Sequence, residues 1–419
     1  MIFQCNHNGR LSWGVLAVTF MAVPRLAPAL TLDEALLLAE HEAPSMRARR
    51  ADIEAARSAA IPAGELPDPR LSLGLQNVPV EGQDRYSLNR DSMTMQMVGI
   101  MQEVSNSDKR RARVEAAQAE ILQAEAEQQV ERLSVRVETA LAWIEARAIE
   151  QKLALFGSLY NENRLFGKAV QATIAGNAGM AADSVIPRQE AATLAEEEDE
   201  LHRALTQARA ALRRWVGPAA DEPLSGNLPL WPVDTHHFKH NLRQHPNVAV
   251  FGPRASVAEA EIQEAVAEKK PDWGWQVDYQ HRGREYGDMV SLQVSFDLPL
   301  FTTSRQDPKI AAKRSQLIQL EAEREAILRE HAQMLESDLA EYERLHNSLE
   351  RSQKTFVPLA KEKVDLAMAS YRAGKGDLAA VVEARRDLIQ ARLKLIDITQ
   401  LQALTSARLH FAYGAHSND

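Results

Sequence analysis

The chain has 419 residues and a net charge of −9, with 26% charged, 45% hydrophobic and only 5% aromatic residues. The acidic balance disfavours nucleic acid as a partner, because there is no surplus of Lys and Arg to displace counterions from phosphates. Many charges combined with few aromatics are more typical of Ala-rich coiled helices than of an aromatic-rich globular core.

The N-terminus has the pattern of a secretory signal. A weakly basic start ends at Arg10, an apolar stretch follows, and Ala27 and Ala29 supply the small residues of a cleavage site. We therefore predict residues 1–29 as a signal peptide. The single cysteine, Cys5, would be removed with it, which leaves no disulfide, thiolate ligand or lipid anchor in the mature chain. No later window has the ~20 apolar residues of a membrane-spanning helix, so a membrane location would require strands.

The rest of the chain contains the same plan twice. Pro44 corresponds to Pro246 at an offset of 202, and the segment VGIMQEV at 98–104 corresponds to VSFDLPL at 294–300 at an offset of 196. Gly176 corresponds to Gly374 at an offset of 198. Similar helix composition alone does not align prolines, glycines and strands in this way, so we interpret the pattern as an internal duplication.

The duplication defines the predicted organisation. We predict a first repeat at 30–217, a linker at 218–234, a second repeat at 235–414 and a C-terminal tail at 415–419. Each repeat has the order helix, strand, strand, very long helix, turn and helix. Pro358 is expected to bend or break the second long helix.

Four segments have the two-residue alternation of β-strands: about 70–78, 93–104, 273–281 and 289–299. Leu71, Leu73 and Leu75 alternate with polar or small residues in the first segment. In the second, Met93, Met95 and Met97 alternate with Thr94, Gln96 and Val98. In each segment, therefore, one face is more apolar than the other.

These faces have two interpretations. In a soluble protein they would pack on a core. The predicted helices are narrow and charged and offer no broad apolar surface, whereas a bilayer accepts tilted strands of about 9–11 residues. An open sheet leaves backbone groups unsatisfied in lipid, so several chains must form one closed barrel. Three chains would give 12 strands, with Trp273, Trp275 and Tyr279 as a membrane girdle.

The long helices have coiled-coil patterns. In the first repeat Val130, Val137 and Ile144 recur every seven residues, and in the second Leu328, Leu335 and Tyr342 do so. The remaining positions are mostly charged or polar, as expected of helices exposed to water. A proline-free helix over 107–175 would approach 100 Å at about 1.5 Å per residue.

The sequence resembles the TolC-like outer-membrane efflux family over essentially the whole mature chain. The resemblance is carried by LTLDEA at 30–35, by VGIMQEV at 98–104 leading into KRRAR at 109–113, and by YRAGKGD at 371–377. It implies a homotrimer with a 12-stranded barrel in the outer membrane and a helical tunnel in the periplasm. It also implies a periplasmic adaptor (membrane fusion) protein and an inner-membrane RND pump as partners.

Within the family the chain resembles the heavy-metal RND branch, because QEV at 102–104 leads into the basic cluster. The usual Pro-Gly before the lysine is replaced by Asn106, Ser107 and Asp108. The resemblance therefore implies a passive exit duct for heavy-metal cations. A duct for drugs or other organic compounds is the alternative within the fold, and a soluble periplasmic coiled-coil scaffold is the alternative from another class.

The resemblance also implies a periplasmic gate. In related proteins two acidic positions narrow the pore, and the matching positions here are Ala380 and Glu383. The duplication places Asp183 opposite Ala380, so Asp183 and Glu383 are the predicted constriction, with Asp377 as a third candidate. Acidic residues near helix starts are also favoured by the helix dipole alone. The predicted hairpin turns contain four glycines: Gly176, Gly179, Gly374 and Gly376.

We find no catalytic constellation, and the chain is predicted not to be an enzyme and to need no cofactor. His236 and His240 have the i, i+4 spacing of metal ligands, with His237 between them, but no thiol or carboxylate trio completes a site. A polar linker is the preferred interpretation, and no metal site is predicted. The acidic run at 196–200 is interpreted as a solvated helix face.

Overall fold

The computed structural model describes residues 29–176 and 179–414. The predicted signal peptide, apart from Ala29, and the predicted tail lie outside the described residues. The first repeat contains these elements: α1 Leu32–Glu42, α2 Pro44–Ala60, β1 Arg70–Gln76, β2 Met95–Val104, α3 Ser107–Ala175 and α4 Ile186–Val216. The second contains these: α5 Thr235–Asn241, α6 Pro246–Ala249, α7 Phe251–Ala267, β3 Trp273–His281, β4 Met289–Phe296, α8 Gln306–Arg351, α9 Val357–Arg372 and α10 Leu378–Tyr413. The predicted fold class, mainly helical with four strands in a duplicated order, is confirmed.

Both repeats begin with a helix that is interrupted before a proline. Ala43 precedes Pro44 with φ −55° and ψ 128°, and His245 precedes Pro246 with φ −55° and ψ 131°. These nearly identical angles avoid the clash between the proline ring and the preceding residue in helical geometry. The duplication therefore extends to backbone conformation.

The long helix α3 has 69 residues, which gives a length of about 100 Å. Asn106 caps its start, since the Asn106 side chain accepts a 2.9 Å hydrogen bond from the Lys109 N–H. In the second repeat α8 continues into a π-helical turn, Ser352–Phe356, and then into α9. Pro358 lies directly after this turn. The wider turn accommodates the missing N–H and the ring of Pro358, so the helix continues through a π-helical turn and the predicted break is absent.

The four strands form one antiparallel sheet in the order β1-β2-β3-β4. The central pair, β2 and β3, joins the two repeats. Leu73 pairs with Val98, Val98 with Tyr279, and Tyr279 with Val290. One face of the sheet therefore carries an unbroken apolar row across all four strands.

The face of β2 differs from the expected one. Met97 pairs with Gly74 and with Gln280, so Met95 and Met97 lie on the more polar face, while Val98 and Ile100 lie on the apolar face. The expectation from alternation was wrong because β2 has apolar residues at both odd and even positions. Pairing with the leucines of β1 decides which set faces outward.

The apolar face is uncovered in the single chain. Leu73 and Leu292 are each 72% exposed, and Leu71 and Val290 are each 70% exposed. The helices of the same chain do not pack on this face, contrary to the soluble alternative. No helix in the described part of the chain has the length and apolar character needed to cross a bilayer.

The main hydrophobic core lies where α1, α3, α4 and the end of α10 meet. Trp143 of α3 is 1% exposed, and its indole N–H donates a 3.2 Å hydrogen bond to the Leu30 carbonyl. Val137 and Leu141 pack against this core, and Ile144 is fully buried in it. The predicted heptad seam of α3 is therefore the face that packs inward.

Gly99→Ala is expected to lower the free energy of unfolding by about 1–3 kcal/mol, as overpacking does elsewhere. A Cβ at Gly99 would lie 1.9 Å from Asp278 Oδ1 and 2.6 Å from Ser72 Oγ. Denaturant unfolding of the purified protein in detergent would measure the loss. Gly74→Ala is the matched control, because its nearest neighbour is Met97 Cε at 3.7 Å. Equal losses in both variants would contradict this packing, and Asp278→Ala should rescue Gly99→Ala.

Candidate functional site

The first candidate region is the apolar face of the sheet with its aromatic residues. Trp273, Trp275 and Tyr279 lie on this face of β3, and Trp273 and Tyr279 are 41% and 47% exposed. Six residues separate Trp273 from Tyr279, which corresponds to about 20 Å along a strand. This is close to the ~25 Å height of the apolar band in membrane barrels. The spacing of the two residues therefore fits the height of such a band, and Trp273 is the residue nearer the helices.

Below the sheet, a polar junction attaches it to the helices. The Asn106 backbone N–H donates a 2.7 Å hydrogen bond to Asp272 Oδ1, and Lys109 Nζ lies 3.0 Å from Asp272 Oδ2. The Asn106 side chain also donates to the carbonyls of Ala267 and Lys270. The unusual Asn106 thus ties the start of α3 to the start of β3 in the other repeat. The sequence shows that Asn106 stands where the family usually has Pro-Gly, but it does not predict the contact of Asn106 with Asp272.

The second candidate region is the tip formed by the hairpins α3–α4 and α9–α10. Phe166 and Val170 of α3 pack with Tyr371 of α9 and with Leu378 and Val381 of α10. We call these five residues the tip cluster. The cluster fixes the two hairpins side by side, so that any acidic residues on their exposed faces are presented together.

The predicted gate residues have different local roles. Asp183 Oδ2 accepts a 2.9 Å hydrogen bond from the Met180 N–H, and Asp377 Oδ1 accepts a 3.3 Å bond from the Ala379 N–H. Asp377 is therefore the N-cap of α10, whereas Asp183 lies within the short 3-10 helix Ala181–Val185 and bonds back to its N-cap residue, Met180. The Glu383 side chain is 73% exposed, and its Oε1 lies 3.6 Å from Lys363 Nζ. Glu383 thus has no capping role, and its carboxylate faces solvent.

The glycines lie at the ends of the hairpin helices. Gly374 has φ +67°, the left-handed conformation that ends many helices. Its N–H donates to the Tyr371 carbonyl and the Lys375 N–H donates to the Ser370 carbonyl, both at 3.0 Å. Gly376 packs closely on Ser370, where a Cβ would approach to 3.0 Å. Gly176 caps α3 with φ −80°, and Gly179 lies just before the turn into α4.

A buried ion pair at the tip was not predicted. An Arg385 guanidinium nitrogen lies 3.0 Å from Glu190 Oε1, and their side chains are 9% and 14% exposed. The guanidinium also lies over the Phe166 ring, 4.7 Å from its centroid. The pair joins α10 to α4 across the two hairpins. Its residues are far apart in sequence, and only the packing of the hairpins brings them together.

The other polar features have local partners. The His237 ring lies 2.9 Å from the Asn241 side-chain nitrogen, and the described residues contain no group of three or more His, Cys, Asp or Glu suited to a metal ion. Within the acidic run, Glu198 accepts a 2.7 Å hydrogen bond from the Tyr160 hydroxyl, and this bond raises the pKa of Tyr160 to about 12. Tyr160 therefore stays neutral at physiological pH.

The chain thus combines long paired helices with an antiparallel sheet that has an uncovered apolar face. Residues 240–415 match the family model described as outer membrane efflux protein. A search of curated protein sequences finds no significant match. The family match falls on the second repeat, and the solved structures extend the fold comparison to both repeats.

Three solved structures are similar over nearly the whole chain. A membrane protein from Pseudomonas aeruginosa is 18% identical with a TM-score of 0.78, covering 91% of this chain and 93% of its own. The outer membrane protein VceC from Vibrio cholerae is 18% identical with a TM-score of 0.76, covering 92% and 96%. CusC, described as forming a transmembrane channel, is 14% identical with a TM-score of 0.77, covering 92% of each chain.

The second repeat thus matches the outer membrane efflux protein family, and the chain as a whole has the fold of the solved outer membrane proteins named above. In the outer-membrane arrangement predicted from the sequence, the sheet is the membrane part and the tip lies at the periplasmic end.

Arg385→Met is expected to loosen the tip, because it leaves the Glu190 carboxylate buried without its partner. Breaking a buried pair in this way costs about 3–5 kcal/mol. Hydrogen exchange of the first turns of α4 and α10 would measure the loss of protection. Arg344→Met is the control, since its pair with Glu341 is exposed and contributes under about 1 kcal/mol. Unchanged protection in Arg385→Met would contradict a structural role for the pair.

Proposed function

We propose that the chain is the passive exit duct of a tripartite efflux system. Three copies pool four strands each into a 12-stranded barrel, and their helices form a tunnel that reaches into the periplasm. The duct performs no chemistry of its own. An inner-membrane RND pump supplies the energy, and a periplasmic adaptor connects the pump to the tip.

The observation that carries this proposal is the uncovered sheet. Leu73 and Leu292 are exposed on one face, and in the described chain β1 and β4 each have a strand partner on one side only. Lipid satisfies the apolar face but cannot accept or donate the hydrogen bonds of the two open edges. Pairing β1 of one copy with β4 of the next provides hydrogen-bond partners for both open edges and leaves the apolar face in contact with lipid. In a closed symmetric trimer, each residue of the channel occurs three times in a ring around the axis.

The opposite face of the sheet would line the pore. Ser72, Gly99, Asp278 and Ser291 form one row across the four strands on this face. Gln276 and Gln293 form a neighbouring pair of the same character. Polar rows of this kind keep a water-filled lumen.

The proposed cargo is heavy-metal cations, with drugs or other organic compounds as the alternative. The support for metals is the resemblance of the 102–113 segment to the heavy-metal RND branch. The acidic residues of the tip favour cations over anions in either case. Cells that lack this protein can be grown on metal salts and on organic toxicants. The class of compound that inhibits their growth more than that of wild-type cells identifies the cargo.

Leu292→Arg is expected to prevent assembly in the outer membrane, because a lipid-facing arginine near the membrane centre costs about 2–4 kcal/mol per copy. The matched control is Gln293→Arg, the next residue along β4, which faces the proposed lumen. Membrane fractionation followed by crosslinking of detergent extracts would measure location and trimer content. The proposal fails if wild-type protein is released by osmotic shock as a monomer, or if Leu292→Arg assembles normally.

At the periplasmic tip, Asp183, Glu383 and Asp377 are the proposed constriction. The tip cluster holds the two hairpins together, and threefold symmetry would repeat each carboxylate around the axis. Rings of carboxylates narrow the opening and attract cations by their field. An adaptor that separates the hairpins would widen the ring.

Combining Asp183→Asn with Glu383→Gln is expected to raise the single-channel conductance of the purified trimer in planar bilayers and to weaken its block by divalent cations. Asparagine keeps an oxygen that accepts the hydrogen bond from the Met180 N–H while removing the charge, so a change in conductance reports the charge itself. Glu341→Gln, on an exposed part of α8 away from the tip, is the control. Conductance and block identical to wild type would remove both residues from the gate.

A further inference from the structure

The second repeat contains a buried polar cluster at a place where the first repeat is apolar. By the offsets of the duplication, Ala43 corresponds to His245 and Val216 to Tyr413. His331 lies between the strands and the hairpins, whose offsets of 196 and 198 place it opposite Val135 and Leu133, respectively. These apolar residues, like Ala43 and Val216, belong to or pack against the main core. Packing at this position therefore does not require histidine. We call His245, His331 and Tyr413 the imidazole cluster.

The cluster connects three helices. His245 precedes α6, His331 lies on α8, and Tyr413 is the last residue of α10. They are 3%, 7% and 3% exposed, and the two imidazole centroids are 3.9 Å apart. The Tyr413 hydroxyl donates a 3.2 Å hydrogen bond to the His331 carbonyl and lies 3.4 Å from His331 Nδ1. The cluster thus attaches the start of the second repeat to its two long helices.

Asn247 of α6 bonds to both histidines. Its backbone N–H donates to His245 Nδ1 at 3.2 Å, and its side-chain nitrogen lies 3.3 Å from His331 Nε2. Each contact uses a ring nitrogen as an acceptor, which requires a neutral imidazole. A proton on His245 Nδ1 would place an N–H against the backbone N–H of Asn247, and a proton on His331 Nε2 would require the Asn247 amide to turn its oxygen toward the ring. Protonation of either ring therefore disrupts the contacts that Asn247 makes here.

The surroundings also disfavour charge. Desolvation lowers the pKa of His331, and the Glu330 carboxylate on the same helix opposes this only in part. Burial, with a smaller contribution from Asp338, raises the pKa of Tyr413 to about 12, so the phenol stays neutral. Titratable or charged side chains near the cluster include His237 of α5, which contacts Asn241, and Asp338 of α8, which pairs with Arg408 of α10 at 3.1 Å.

We propose that the imidazole cluster is an acid-sensitive latch that attaches the α5–α6 segment to α8 and α10 at neutral pH and releases it when the histidines are protonated. The inference concerns this chain alone and does not depend on the proposed cargo or partners. It gives the second repeat a response to acid that the apolar first repeat lacks.

The direction of the effect follows from proton linkage. A buried histidine that is neutral when folded binds fewer protons than when released, so stability is present above the unfolded pKa of about 6.5 and is lost as pH falls below it. For one such histidine, the equilibrium constant for opening rises about tenfold between pH ~7.5 and pH ~5.5. Two coupled histidines give a steeper dependence.

The test is hydrogen exchange of 235–250 in the purified full chain in detergent, corrected for intrinsic exchange at each pH. Wild type and His202→Leu, a change at an exposed histidine of α4, should both show at least the tenfold rise in opening between pH ~7.5 and pH ~5.5. His331→Leu combined with His245→Ala, which installs apolar residues of the kind found in the first repeat, should remove most of that rise. A flat wild-type profile, or an unchanged rise in the double variant, would overturn the proposal.

A second variant covers the case in which the double variant does not fold. Asn247→Asp replaces the donor by a carboxylate, which accepts a hydrogen bond from protonated His331 and stabilises its charged form. The expected result is a smaller or reversed change in opening on acidification. A rise equal to that of wild type would contradict a role for the contacts of Asn247.

Discussion

The structure depends on the backbone hydrogen bonds of one four-stranded sheet. Leu73 and Val290 on the outer face are exposed, and β1 and β4 leave their outer edges open. Water would form hydrogen bonds with the open strand edges, but exposure of the apolar face to water is unfavourable. Lipid would cover the apolar face but cannot form hydrogen bonds with the open edges. A closed barrel made from several copies resolves this conflict. On this argument, the trimer that we propose would form as part of folding in the membrane and not in a later assembly step.

The pairing of β2 with β3 couples the membrane part to the helices. Each strand of this pair belongs to a different repeat, and the bonds from Asn106 and Lys109 to Asp272 join the repeats again at the helical junction. Movement of one hairpin at the periplasmic end therefore meets a rigid upper part. At the tip, the two hairpins are joined by the tip cluster and by the Arg385–Glu190 pair. These contacts involve fewer residues than the pairing of β2 with β3. The opening that we propose at the tip therefore has fewer contacts to break than any movement of the sheet would have.

The sequence predicted the features that local patterns determine. The strands, the long helices and the duplicated order all follow from alternation, heptads and proline chemistry. The outward face of β2 was not predicted, because only pairing with β1 selects Val98 over Met97. The Arg385–Glu190 pair was missed since it depends on how the hairpins pack. The hydrogen bonds that Asp183 and Asp377 accept from backbone N–H groups show why acidic residues there are ambiguous signals: one carboxylate can stabilise a helix start and also face a pore.

The two repeats also show which properties a duplicated fold keeps. The backbone angles before Pro44 and Pro246 agree closely, because proline geometry allows few alternatives. The side chains at the same place differ in chemistry, since Ala43 is a small apolar residue and His245 is a titratable ring. A fold of this kind can therefore change its response to conditions in one repeat without changing its architecture. Because each copy contributes one of each repeat, threefold closure would alternate apolar and titratable joints around the tunnel.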